Sequence, residues 1–136
     1  MSSHVWFADT GYWLALSNRD DRLYERVRTL AAKRGKSLVT TEAVLLEIGD
    51  AFARGRSRRL AVALLTEIRT APRVEVVPFT TDLFARALEL YAARPDKDWG
   101  LTDCVSFEVM RERGIEEALA ADQHFIQAGF RALLLE

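Results

Sequence analysis

Four acidic residues have types and positions suited to chemistry. Asp9 closes the apolar run Val5–Ala8, and Asp122 follows the apolar residues 118–121. Glu47 interrupts the stretch Ala43-Val44-Leu45-Leu46-Glu47-Ile48, and Asp103 sits in "KDWGLTDC" (97–104) just before the apolar Cys104-Val105-Ser106-Phe107. A lone ionised carboxylate beside a core is costly and needs a partner. For Glu47 and Asp103, the following bases Arg54 and Arg111 fall at solvated helix ends. One divalent cation shared by several carboxylates answers all four cases together, and an oxygen-only donor set suits Mg²⁺ or Mn²⁺. Helix capping is the alternative for three of them. Asp9 and Asp122 are good N-caps and Asp103 a good first-turn charge, whereas a mid-helix Glu47 has no such role.

The elements that must place these acids are legible from periodicity and punctuation. Val5–Ala8, Ser37-Leu38-Val39-Thr40, Val74–Val77, residues 118–121 and residues 132–135 are strand-like. Helical patterns lie between them. A short one covers 12–16, and a second opens at Asp20-Asp21 and stops at Gly35. A third, capped by Thr41, runs to Gly55, and a fourth runs from Ser57 to before Pro72. A fifth is capped by Thr80 or Thr81 and closed by Arg94-Pro95, and a sixth is capped by Thr102 and stopped by Gly114. A helical turn follows at 123–128. Alternating strands and helices imply an α/β fold with a parallel sheet and helices on both faces, in a single domain spanning 1–136. Asp9 and Asp122 then fall at the carboxyl ends of strands, where open parallel sheets bind ligands.

Composition narrows the function classes. The chain has 136 residues, 49% hydrophobic and 29% charged, with net charge −1. That balance excludes nucleic-acid binding by bulk charge but allows local basic patches. The one cysteine, Cys104, cannot form an internal disulfide, which fits a reducing compartment. No apolar run approaches a membrane span, and the N-terminus lacks a signal peptide's basic region, so a cytoplasmic protein is expected. Arg54, Arg56, Arg58 and Arg59 form one basic cluster, and Lys33, Arg34 and Lys36 another. Both are read as solvated helix ends, with phosphate contacts as the functional alternative. His124 is read as a helix-surface residue, Cys104 as a small buried one, Trp13 as core, and the loop residue Trp99 as a base-stacking candidate.

Asp9-Thr10 after an apolar strand, Thr40-Thr41 ahead of Glu47-Ile48, "DWGLTDCVSF" and "ALAADQHFIQAGF" together resemble the PIN-domain ribonucleases, most of all the VapC toxins of bacterial toxin–antitoxin pairs. The resemblance runs from residue 5 to 135. It implies a parallel sheet of about five strands and an acidic pocket of Asp9, Glu47, Asp103 and Asp122 that binds Mg²⁺ or Mn²⁺ and cleaves RNA. Thr10, Asp98, Trp99 and Thr102 become candidates for substrate or secondary contacts. An antitoxin blocking the pocket and a homodimer are also implied. One departure is Ala120, where the family often has Thr or Ser two residues before the last acid. A PIN nuclease that processes RNA without being a toxin and a non-cleaving binding module are the alternatives. A phosphotransferase using Asp9 as nucleophile fits worse, because no second Asp stands two residues on.

Overall fold

The computed structural model describes residues 4–33, 35–53 and 57–136. Five parallel strands form one sheet in the order β3-β2-β1-β4-β5: β1 (Val5–Ala8), β2 (Ser37–Thr41), β3 (Val74–Val77), β4 (Glu117–Leu119) and β5 (Arg131–Ala132). The chain passes β1→β2→β3 through α1 (Thr10–Leu16), α2 (Tyr24–Ala31), α3 (Glu42–Ala51) and α4 (Ser57–Thr70). It returns to β4 through α5 (Thr81–Ala93) and α6 (Leu101–Arg113), and reaches β5 through α7 (Gln123–Gln127). Right-handed crossovers running in opposite directions place their helices on opposite faces. Accordingly α1 packs with α2 and α3, and α3 with α4, while α6 packs with α5 and α7.

Several element ends differ from the expectation. Helix α2 starts at Tyr24, because the Asp21 carboxylate accepts from the Leu23 amide at 2.8 Å and Asn18 from the Asp20 amide at 3.0 Å. These side chains close turns in place of helix. The N-cap of α6 is Gly100, not Thr102: Asp103 Oδ2 accepts from the Gly100 amide at 3.0 Å. The last strand is only two residues, and Leu133–Leu135 forms a 3-10 turn. That turn buries both Leu133 and Leu134, and the Leu134 amide donates to the Ala120 carbonyl at 3.2 Å instead of continuing the β5 ladder. The Thr41 and Thr80 caps are as expected, accepting from Val44 and Leu83 amides at 3.1 Å. Gly114 ends α6 in the left-handed region (φ 66°), which a residue with a Cβ rarely adopts. Gly55, the expected end of α3, lies outside the described residues.

The core on the α6–α7 side is aromatic. Phe107 meets Trp99 and Phe125 edge-on, each at 5.0 Å between centroids, and Phe130 at 5.8 Å. Phe125 in turn lies 6.4 Å from Phe7 of β1. This cluster joins the loop before α6, the helix itself, α7 and the central strand. Phe107→Ala is expected to cost about 3–5 kcal/mol, measured by urea unfolding, and Leu46→Ala on the exposed side of α3 less than about 0.5 kcal/mol. Equal losses at the two positions would refute the brace.

Candidate active site

The central strand β1 has β2 on one side and β4 on the other, and the chain leaves toward β2 and returns at β4. This is the switch point of a parallel sheet, where a crevice opens at the strands' carboxyl ends. Asp9 is the first residue beyond β1, its amide donating to the Leu119 carbonyl of β4 at 3.2 Å. It is the N-cap residue of α1, yet its side chain makes no capping bond. Its carboxyl pKa is raised to about 7. Burial is the main cause, and the charges of Asp103, Glu47 and Asp122 add to it, against a backbone hydrogen bond at Thr10. The three other sequence-selected acids therefore act electrostatically on Asp9, although four separate segments carry the set.

Each of the other three is held by a specific contact. Thr10 donates its hydroxyl to Glu47 Oε1 at 2.6 Å. Glu47 is on the exposed side of α3, which corrects its reading as a core-side acid. Leu46 beside it is also exposed, so the apolar run is a poor guide to burial here. Asp103 occupies the first turn of α6 and caps it through Gly100. Asp122 is the N-cap of α7 and accepts from the His124 amide at 2.9 Å.

His124 is the residue that sequence reasoning missed. Its Nδ1 lies 3.0 Å from Asp103 Oδ2 and 3.2 Å from Asp122 Oδ1. Donor atoms of Asp103, Asp122 and His124 all fall within 4.8 Å of one another. The signal was the spacing Asp122-Gln123-His124: a cap residue and the second residue of its helix share one turn, so the ring folds back over the carboxylate.

The secondary candidates divide. Thr10 belongs to the site through Glu47. Thr102 does not cap α6, and its carbonyl accepts from the Ser106 hydroxyl at 3.2 Å. Asp98 is exposed and is not among the charges acting on Asp9. It borders a groove of about 630 Å³ with Tyr91, Arg94, Lys97 and Gly100. Trp99 is not available for base stacking: only 5% of it is exposed, and its Nε1 donates to Gln127 at 3.0 Å. Its ring packs on Phe107 and lies under the Arg94 guanidinium at 5.2 Å. Cys104 is buried, and burial first, with the Asp103 and Glu108 charges, raises its thiol pKa away from reactivity. Of the basic clusters, Arg34, Arg54 and Arg56 lie outside the described residues. Arg58 bonds the Ala53 carbonyl at 2.6 Å, as at a solvated helix start, and Lys36 lies over the Trp6 ring at 4.9 Å.

The chain matches the PIN domain family over residues 6–131. It is 35% identical over 124 residues to the 23S rRNA-specific endonuclease VapC20 of Mycobacterium tuberculosis, in two strains, covering 91% of this chain and 94% of the relative. The crystal structure of M. tuberculosis VapC20, described as a sarcin-ricin loop cleaving toxin, superposes with a TM-score of 0.83 at 33% identity, over 93% of this chain and 95% of that one. VapBC2 from Rickettsia felis, bound to a promoter DNA fragment, shares the fold with a TM-score of 0.68 at 14% identity, over 94% and 96% of the two chains. With its switch-point acids and a family match running nearly end to end, the chain belongs to the PIN-domain family.

Proposed function

We propose that this chain is a metal-dependent endoribonuclease and the toxin of a toxin–antitoxin pair, acting in the cytoplasm. The observation that carries the reading is the grouping of Asp103, Asp122 and His124 within 4.8 Å, together with a buried Asp9 whose carboxyl pKa is raised to about 7 by burial and by the charges of Asp103, Glu47 and Asp122. A fold gains nothing in stability from such a cluster. A cation does fit it: the donor set is rich in carboxylate oxygen, and the acids repel one another without a positive partner. Asp9, Asp103 and Asp122 would hold Mg²⁺ or Mn²⁺, with Glu47 at the rim. The ion supplies Lewis acidity and neutralises charge on a phosphodiester. Glu47 is oriented by Thr10 through Oε1, which leaves Oε2 to accept a proton from attacking water. His124 Nδ1 keeps the Asp103 and Asp122 carboxylates turned toward each other. The relatives' action on 23S rRNA makes large-subunit ribosomal RNA the first substrate to test.

The partners follow from surfaces. Leu46 of α3 is an exposed apolar side chain, and α4 packs beside α3. An antitoxin helix laid along α3 would cover Leu46 and lie near Glu47. A second copy of the chain completes a homodimer. Among the described residues no helix is long and apolar enough to cross a membrane.

Two outcomes are expected. In chelator, Asp9 binds its proton more tightly folded than unfolded, so stability falls as pH rises from about 4 to 7 and stays low above that. Asp9→Asn should match the parent near pH 4 and exceed it by about 2–4 kcal/mol at pH 8 in urea unfolding. Saturating Mn²⁺ should reverse that order. A variant no more stable than the parent at pH 8 would remove Asp9 from the acidic cluster. Asp103→Asn should cut ribosomal RNA at least about a hundredfold more slowly, without melting earlier in chelator at pH 8. A purely helix-capping Asp103 would instead lose about 0.3–1 kcal/mol and keep the parental rate.

A further inference from the structure

A groove of about 630 Å³ runs beside the loop into α6, lined by Tyr91, Arg94, Lys97, Asp98 and Gly100. That volume is in the range of small-ligand sites, about 300–1,000 Å³. Arg94 gives the groove no free charge: its guanidinium is bonded to Asp96 at 3.0 and 2.9 Å and covers the Trp99 ring. Asp98 is different. It is exposed and has no ion pair or side-chain hydrogen bond among the described residues. Tyr91 leaves about half of its surface open, at 49% exposed. The groove therefore presents an aromatic ring and an uncommitted carboxylate.

Gly100 joins this groove to the acidic pocket. Its amide donates to Asp103 Oδ2 at 3.0 Å, and a Cβ built on it would, chain neighbours apart, first meet the same oxygen at 3.8 Å. Its backbone, at φ −75° and ψ 164°, is open to any residue. Conformation does not require glycine there. What glycine provides is bare space between the groove and Asp103.

We propose that the groove takes one guanine of the RNA substrate, with Asp98 accepting from its N1–H and 2-amino groups and Tyr91 stacking on its ring. The inference rests on the endoribonuclease reading above and says which base that site selects. A phosphate is repelled beside a carboxylate, so Asp98 receives a base edge and not the backbone. Unstacked RNA bases are read in this way, by an aromatic ring on one face and hydrogen bonds to the edge. A carboxylate is an acceptor only, with two oxygens side by side. Guanine alone among the four RNA bases sets two donors side by side. In adenine and cytosine the amino group stands beside a ring-nitrogen acceptor, and in uracil N3–H stands between two carbonyls. Lys97, on the same groove, supplies a cation for a neighbouring phosphate.

The test uses the full chain with Mn²⁺. Digestion of large-subunit ribosomal RNA locates the bond that is cut, and a synthetic fragment spanning it is made with inosine in place of each guanosine in turn. Inosine lacks only the 2-amino group. At one position it should slow the parent roughly tenfold to a hundredfold, the loss of one hydrogen bond to a charged group. Asp98→Asn presents one acceptor and one donor, so it should cut the guanosine fragment more slowly by a similar factor and no longer distinguish inosine. Tyr91→Ala should raise KM about fivefold or more for both fragments, and Tyr91→Phe should restore it. Both positions are exposed, so the circular dichroism spectra should match the parent. A parent that cuts no RNA would overturn the endoribonuclease reading and the subsite with it. A parent indifferent to every inosine, or an Asp98→Asn variant that still discriminates, would overturn the guanine subsite and leave the nuclease standing.

Discussion

Burial of one carboxylate near three others is the constraint on which the candidate site turns. Burial first, and then the charges of Asp103, Glu47 and Asp122, lift the Asp9 carboxyl to about 7. Nothing about folding favours that arrangement, so every acid needs an independent device to hold it. Asp9 is held by its amide bond to β4 and by the Thr10 backbone at its carboxyl. Glu47 is held by Thr10, Asp103 by the Gly100 amide, and Asp122 by the α7 amide it caps. Three of these are donors aimed at carboxylate oxygens, and hydrogen bonds to charged acceptors are the stronger kind. Capping and pocket-building are thus one interaction serving two ends.

The aromatic cluster gives those devices a rigid base. Phe107 sits one helical turn beyond Asp103 and touches both Trp99, before the helix, and Phe125, one residue past His124. Asp103 and the Asp122–His124 pair are therefore referred to the same side chain. Trp99 adds a second tie by donating to Gln127 at the end of α7. A loop that looks solvent-facing from its charges is anchored by the one large residue in it.

The sheet, its parallel sense and the placing of Asp9 beyond β1 and Asp122 beyond β4 were legible because they rest on local signals: apolar runs, caps, and an acid after a strand. What was not legible depended on tertiary direction. Glu47 reads as core-side because its neighbours are apolar, yet Leu46 faces outward and the acid with it. Trp99 reads as exposed because Asp96, Lys97 and Asp98 surround it, yet it points into the core. Thr102 has the right type for a cap, but Gly100 with Asp103 supplies that bond two residues earlier. His124 matters only once α7 is set against α6, a contact no local pattern encodes.

The strand order has a kinetic consequence. The central strand β1 precedes β2 and β3, and its other partner, β4, comes after both, with Phe7 beside Ala118 and Ala8 beside Leu119. Pairings so distant in sequence form late and slowly, because a long loop must close before they contribute. The β1–β2–β3 half can assemble while the remainder is still being synthesised, since domains order from the N-terminus as the chain emerges. In that half Asp9 and Glu47 are present without Asp103 or Asp122. The charge-crowded pocket comes into being only when β4 docks, so a nascent or truncated chain carries the scaffold without the cluster.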